Sequence, residues 1–350
     1  MTRALDVAND LSTLQTNNTL SLSNIKLTPS SAPSSPVQGD IYLDNSDGEL
    51  KIYSGTAWKN ILSGPGITGF GGTVTDIADN GVNYRVHTFT TSQTFTVLAG
   101  SGEVEYLVVA GGGGGGAGNR GGGGGAGGYR CSVIGENSGG GVSAESKLMV
   151  TAGSYTVIIG GGGATYPWIV DSVGLYAGEN GTNSVFGSIT STGGGGGGYG
   201  DQGGADQDPQ SGGSGGGGWY GSRFGASGVL GQGYIGGAGG PTAPYGGGGG
   251  GAGEPGKAYN DGSRPCEGGN GVASSITGSS VYRAGGGGSG TYPTQSGVVS
   301  ASGGLGGGGS GGNSSGTYNI APYNGTANTG GGGGAAGFGG SGIVIIRYQI

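Results

Sequence analysis

Residues 111–128 read GGGGGGAGNRGGGGGAGG, and residues 244–253 return to the pattern as PYGGGGGGAG. Glycine loses more conformational freedom on folding than any other residue. A chain with 100 glycines among 350 residues is therefore a flexible coil unless a specific geometry compensates, and a Gly/Ser-rich linker is the plain alternative. The flanks argue for order. EYLVVA (105–110) and GIVIIRY (342–348) are strongly β-forming, and they read as the first and last strands of one domain that encloses the glycine region.

Between those strands, α-helix and ordinary strand are both poor answers, because glycine brings no side chain to pack in either. Polyproline-II geometry fits better. With three residues per turn and a rise of about 3.1 Å, its backbone N–H and C=O groups all point outward, and side-chain-free helices can approach closely. Lateral N–H···O bonds, helped by Cα–H···O contacts, then hold a bundle together without an oily core. A collagen triple helix is excluded, since no strict Gly-X-Y period is kept and the chain has only 12 prolines. The expected fold class is mainly β and irregular: a small N-terminal β-hairpin module, then a glycine-rich domain of stacked polyglycine-II helices framed by β-strands.

Composition removes several function classes. The net charge is −7, only 9% of residues are charged, and 13 Lys+Arg cannot form the basic stripe that nucleic acid requires. No apolar run approaches the roughly 20 residues that span a bilayer, so no membrane insertion is expected. MTRALDVANDLSTLQ (1–15) lacks the apolar core of a signal peptide, so export by a secretory route is not expected. Cys131 and Cys266 lie far apart in glycine-rich segments, which fits neither a zinc site nor a disulfide framework; whether they pair is open.

The first third divides further. Residues 1–28 are polar with scattered leucines, readable as a short helix from Ala4 to Leu14 and an extended arm, and are expected to dock or assemble. Residues 29–38 form a Pro/Ser linker. Residues 39–64 give alternating strands at Asp40–Leu43 and Glu49–Tyr53 joined by NSDG, followed by an apolar point at Trp58. Residues 65–104 are a connecting β region, and 105–350 the glycine-rich domain.

PVQGDIYLDNSDGELKIYSGTAWKNI (36–61) resembles the short hairpin repeat of bacteriophage tail-fibre proteins, and MTRALDVAND resembles the N-termini of fibre-like phage structural proteins. VEYLVVAGGGGGG, GSYTVIIGGGG, NSVFGSITSTGGGGGG and GGSGIVIIRY resemble the glycine-rich domain of phage adhesins. The resemblance implies a virion appendage protein that binds a host surface receptor, either an outer-membrane protein or a polysaccharide. It also implies contact with other virion proteins through the N-terminal arm, and a homotrimer. One departure is that tail-fibre-tip adhesins ride on a separate fibre, whereas this chain carries its own docking arm.

On that reading the glycine bundle is a frame and the loops interrupting it do the recognising. Tyr166, Trp168, Tyr199, Trp219, Tyr220, Tyr234, Tyr245, Tyr259, Tyr292, Tyr318 and Tyr323 all fall in or beside inter-glycine segments, among Asn, Gln, Ser and Asp. Aromatic rings give contact area at low entropic cost and the small polar residues add adaptable hydrogen bonds. The plainer reading is that these rings cover the bundle ends and stack on glycine surfaces.

Catalysis finds little purchase. His87, the only histidine, lies in the strand-like YRVHTFT and reads as a satisfied strand residue. G-x-S-x-G matches at Ser214 and Ser310 follow from composition, and Gly256-Lys257 is followed by alanine, not Ser or Thr, so there is no phosphate loop. Asp201, Asp206 and Asp208 match no Ca²⁺ loop and read as a solvated segment. No enzyme activity, cofactor or metal is expected. Two rivals stay open: a capsid, collar or tail decoration protein, and a polysaccharide depolymerase, whose carboxylate pair would leave no sequence signature.

Overall fold

The computed structural model describes residues 28–45, 50–60, 66–118, 120–165, 176–200, 207–221, 224–240, 245–259, 266–290, 300–315, 318–320 and 323–350. The helix expected at Ala4 to Leu14 and most of the NSDG turn lie outside them. Among the described residues there is no α-helix, only strands, one short 3₁₀ turn and irregular backbone. Among the described residues no helix is long and apolar enough to cross a membrane. The chain divides into two compact units, Met1–Gly64 and Pro65–Ile350.

The first unit is an antiparallel sheet of β1 (Ile41–Leu43), β2 (Leu50–Tyr53) and β3 (Trp58–Asn60) in the order β1-β2-β3. The apolar point at Trp58 thus opens a third strand. Its ring meets Tyr42 edge-on at 4.5 Å and lies 5.2 Å from Tyr53, giving this small sheet an aromatic centre.

The second unit begins with β4 (Thr68–Phe70), β5 (Thr73–Asp79), β6 (Val82–Phe89), β7 (Gln93–Ala99) and β8 (Gly102–Val109). It continues through β9 (Tyr129–Cys131), β10 (Leu148–Val150), β11 (Gly153–Ile158), β12 (Ser184–Phe186) and β13 (Ile189–Ser191). Two short hairpins, β14 (Val272–Ser274) with β15 (Val281–Arg283) and β16 (Asn313–Ser315) with β17 (Tyr318–Ile320), precede the closing strand β18 (Ile343–Gln349). One sheet has the order β10-β8-β18-β6-β5 with β9 also on β8; the other has the order β13-β12-β11-β7-β4.

The two framing segments are direct partners. β18 pairs antiparallel with β8, Ile343 opposite Val109 through Arg347 opposite Glu105. Both strands are near-continuous apolar runs because both of their faces are covered. Tyr106, Val108, Val344 and Ile346 pack with Phe95, Val97, Val157 and Phe186 of the second sheet, forming the core of a β-sandwich. Leu107, Val109, Ile343 and Ile345 point the other way, against Ala126, Ala252 and Ala284 of the glycine region. The bundle is therefore not free of an oily core: it rests on one.

The glycine runs are polyglycine-II helices, as their hydrogen bonds show. Gly111, Gly114 and Ala117 donate to the carbonyls of Thr182, Glu179 and Tyr176; Gly112 and Gly115 donate to Gly340 and Gly337; Gly113 and Gly116 donate to Gly125 and Gly122, all at 2.8–3.1 Å. Positions three apart thus bond to the same neighbour, the signature of three residues per turn. The carbonyls point to three further runs: Gly111 and Gly114 accept from Gly194 and Gly197, Gly113 and Gly116 from Gly333 and Ala336, and Gly112 from Gly163. Run 111–117 is therefore enclosed by six others.

Run 121–128 repeats the pattern. Gly122 and Gly125 donate to Gly198 and Gly195, Gly123 and Ala126 to Gly247 and Gly250, and Gly124 and Gly127 to Gly333 and Gly330. The spacing works only without side chains: a Cβ on Gly113 would fall within 3.0 Å of the Gly195 carbonyl, and one on Gly124 within 3.0 Å of the Gly113 carbonyl. Alanine is admitted at the margin, as at Ala126, whose methyl meets the sheet instead of another run.

Candidate functional site

The runs travel up and down between the sandwich and a far end. Run 111–117 leaves β8, run 160–165 leaves β11, run 192–200 leaves β13 and run 284–290 leaves β15, all heading away from the sheets. At the far end these chains are tied together: Thr165 Oγ1 donates to Gly115 O, Ala117 N to Tyr176 O, Gly122 N to Gly198 O, Gly290 N to Gly121 O and Ala336 N to Gly116 O. The described residues flanking segments 166–175, 201–206, 241–244, 260–265 and 291–299 sit at this same end. A glycine bundle that starts on one sheet places its turns on two levels, and one level is this tip.

The aromatic residues distribute unevenly over it. Tyr199 is buried and exchanges backbone hydrogen bonds with Gln207 at 2.9 and 2.6 Å. Trp219 lies over glycines, its indole being what a Cβ on Gly200 or Gly221 would strike. Beside it, Tyr220 donates its N–H to Arg120 O at 3.1 Å and receives the Arg120 guanidinium 4.9 Å over its ring. Tyr245 and Tyr259 stack at 6.0 Å with planes 22° apart, and the Tyr259 ring covers Gly240. Tyr323 is 62% exposed while its backbone bonds into the bundle. The structure thus brings Tyr199, Trp219, Tyr220, Tyr245 and Tyr259 to the tip.

Tyr234 is not among them. It sits inside a run near the sheet end, donating to Gly251 O and accepting from Gly215 N, with its hydroxyl beside Gly141. Tyr318 lies in β17 and its side chain is outside the described residues, as are Tyr166, Trp168 and Tyr292 entirely. Arg120 is a tip residue that sequence reasoning passed over; its place between two glycine runs, in AGNRGG, was the available signal.

Of the residues weighed for chemistry, His87, Ser214, Cys131 and Cys266 are packed into the fold, whereas Ser310 is half-buried and Asp208 exposed. His87 is fully buried in β6. Its Nδ1 donates to Gly71 O at 2.8 Å, and Nε2 accepts from the Tyr348 hydroxyl at 3.2 Å, which in turn accepts from Gly69 N at 3.0 Å. Burial holds the imidazole below its ordinary pKa, so it is neutral. Ser214 is fully buried in the bundle, with no approach for a substrate. Cys131 and Cys266 are both free and buried, and burial pushes each thiol up to about 12. Among the described residues no group of three or more His, Cys, Asp or Glu could hold a metal; Asp201 and Asp206 lie outside those residues.

The family model described as a glycine-rich domain matches residues 88–349, from the end of β6 to the end of β18. The chain belongs to this glycine-rich domain family. The match covers the bundle together with most of the sandwich that carries it, so in this glycine-rich domain the sheets and the glycine runs are one unit. No curated protein matches the chain.

Proposed function

We propose that this glycine-rich domain protein is a phage virion appendage protein, of tail-fibre kind, that recognises a host-cell surface receptor through its bundle tip. The observation that supports this reading is the convergence, at the end opposite the sandwich, of the described residues that flank the tip segments, with Tyr220, Arg120, Tyr245 and Tyr259 among them. A frame held by backbone hydrogen bonds in six directions presents those rings at little entropic cost, which suits reversible recognition of a protein loop or a glycan. Residues 1–28 attach the chain to other virion proteins. The work is binding, with no covalent step.

A purely structural role as a decoration protein draws support from Trp219 and Tyr259, whose rings lie on glycines of the bundle itself. Binding separates the two. Labelled full chain is titrated onto susceptible and resistant host cells, beside a Tyr220→Ala/Tyr245→Ala variant with an unchanged melting curve. Saturable, host-selective binding weakened at least about tenfold in the variant supports the receptor reading. A folded chain that binds no cell overturns it in favour of decoration.

A further inference from the structure

Four asparagines in the chain are followed by glycine: Asn80, Asn180, Asn270 and Asn324. In an Asn-Gly pair the glycine nitrogen carries no neighbouring side chain to shield it, so it can reach the asparagine side-chain carbonyl and close a five-membered imide. The fold treats the four pairs differently. At three of them both reacting groups are held. The nitrogens of Gly181, Gly271 and Gly325 donate to Gly194 O, Leu305 O and Phe338 O at 2.8–2.9 Å. The side-chain oxygens of Asn180, Asn270 and Asn324 accept from the backbone nitrogens of Gly196, Leu305 and Phe338 at 2.8, 2.9 and 3.0 Å. Imide closure there has to break bonds that tie the glycine bundle together.

Asn80 and Gly81 stand apart. They are the two exposed residues of the turn between β5 and β6, where Asp79 pairs with Val82. Their φ values of 51° and 80° are those of a type I′ turn. Among the described residues the Gly81 nitrogen donates to no acceptor, and the Asn80 side chain makes one bond, from Nδ2 to Asp79 Oδ1 at 3.2 Å. Attack requires the peptide plane between the two residues to rotate. At this turn the rotation breaks no bond of the Gly81 nitrogen and none of the Asn80 side-chain oxygen.

We propose that Asn80 is the site of a spontaneous covalent modification, deamidation through a succinimide. The Gly81 nitrogen loses its proton and bonds to Asn80 Cγ, and the side-chain nitrogen departs as ammonia. Water then opens the ring at either carbonyl, leaving an aspartyl or an isoaspartyl residue. Either product sets a second carboxylate beside Asp79, whose Oδ2 accepts from Arg347 at 3.0 Å. The isoaspartyl product also lengthens the two-residue turn by one main-chain atom. The modification is independent of the bundle tip.

The test is to age the full chain in warm, mildly alkaline buffer, native and in denaturant, and to follow the four Asn-Gly peptides by mass spectrometry. In the native chain the peptide with Asn80 should gain the mass that separates OH from NH₂ at least about tenfold faster than the other three, which react only through opening of the fold. In denaturant the four should convert at similar rates. Asn80→Gln, which would need a larger ring, should stay unmodified at that position with an unchanged melting curve. An Asn80 that converts no faster than Asn180, Asn270 and Asn324 in the native chain overturns the proposal.

Discussion

At the scale of the residue, two kinds of glycine coexist. Gly113 is hemmed in by the Gly195 backbone, whereas a Cβ on Gly161 would meet only Thr182 Oγ1, at 3.9 Å. Gly113→Ala forces two backbones apart in a packed interior and is expected to cost about 3 kcal/mol or more. Gly161→Ala should stay within about 0.5 kcal/mol of the wild type. Denaturant titration of both variants checks the difference, and equal effects would contradict the close-packed run. His87 offers a second test. Its folded pKa is lowered, so below the unfolded value of about 6.5 the unfolded chain binds the extra proton and stability falls as pH falls. A protonated Nε2 would also turn a donor towards the Tyr348 hydroxyl. Melting temperature should therefore drop between about pH 7 and pH 5 in the wild type and drop less in His87→Gln.

At the scale of the element, β18 holds the second unit together, and Arg347 is its polar anchor. The guanidinium is 4% exposed, donates to Glu105 at 2.7 Å and Asp79 at 3.0 Å, and lies 4.4 Å over the Tyr84 ring. It so joins β18 to β8, β6 and the far edge of β5. Arg347→Met removes the cation and leaves the buried Glu105 with Lys147 alone, at 3.1 Å. The expected loss is about 3 kcal/mol, read from chemical denaturation, with Glu105→Gln in the same chain recovering part of it. These strands were legible in the sequence because Val, Ile and Leu in an unbroken run can only be a segment covered on both faces. What covers them was not legible. Ala126, Ala252 and Ala284 look like incidental members of glycine runs, and only their position against Leu107 and Ile345 shows that they are the contact between bundle and sheet. The roles of the aromatic residues were equally hidden, since composition does not say whether a ring such as Trp219 faces solvent or glycine.

At the scale of the whole molecule, the three-residue period of the glycine runs was readable from backbone geometry alone, but the number of neighbours per run was not, because it depends on how the turns return the chain. Being enclosed on six sides predicts unusual protection. Amides of residues 111–117 and 122–128 donate inside the bundle at 2.8–3.1 Å, whereas Gly121 donates only to Gly118 O, at 3.4 Å. Their hydrogen exchange should be as slow as that of β8 and β18 and should give way together with them in one transition. Exchange from these glycines on the timescale of an open coil, while the sheets stay protected, would mean that the bundle is not a cooperative part of the fold.

Strand β18 sits between β8 and β6, in the middle of its sheet, yet more than two hundred residues of glycine-rich chain separate it from β8. During synthesis the sheet thus waits for its central member until residues 343–349 have left the ribosome. Until then β6 and β8 have no common partner, and the runs have no finished surface to stand on. Folding of the second unit is consequently a late event, completed after its whole length has been made, and the apolar strand β8 stays without its β18 partner until then.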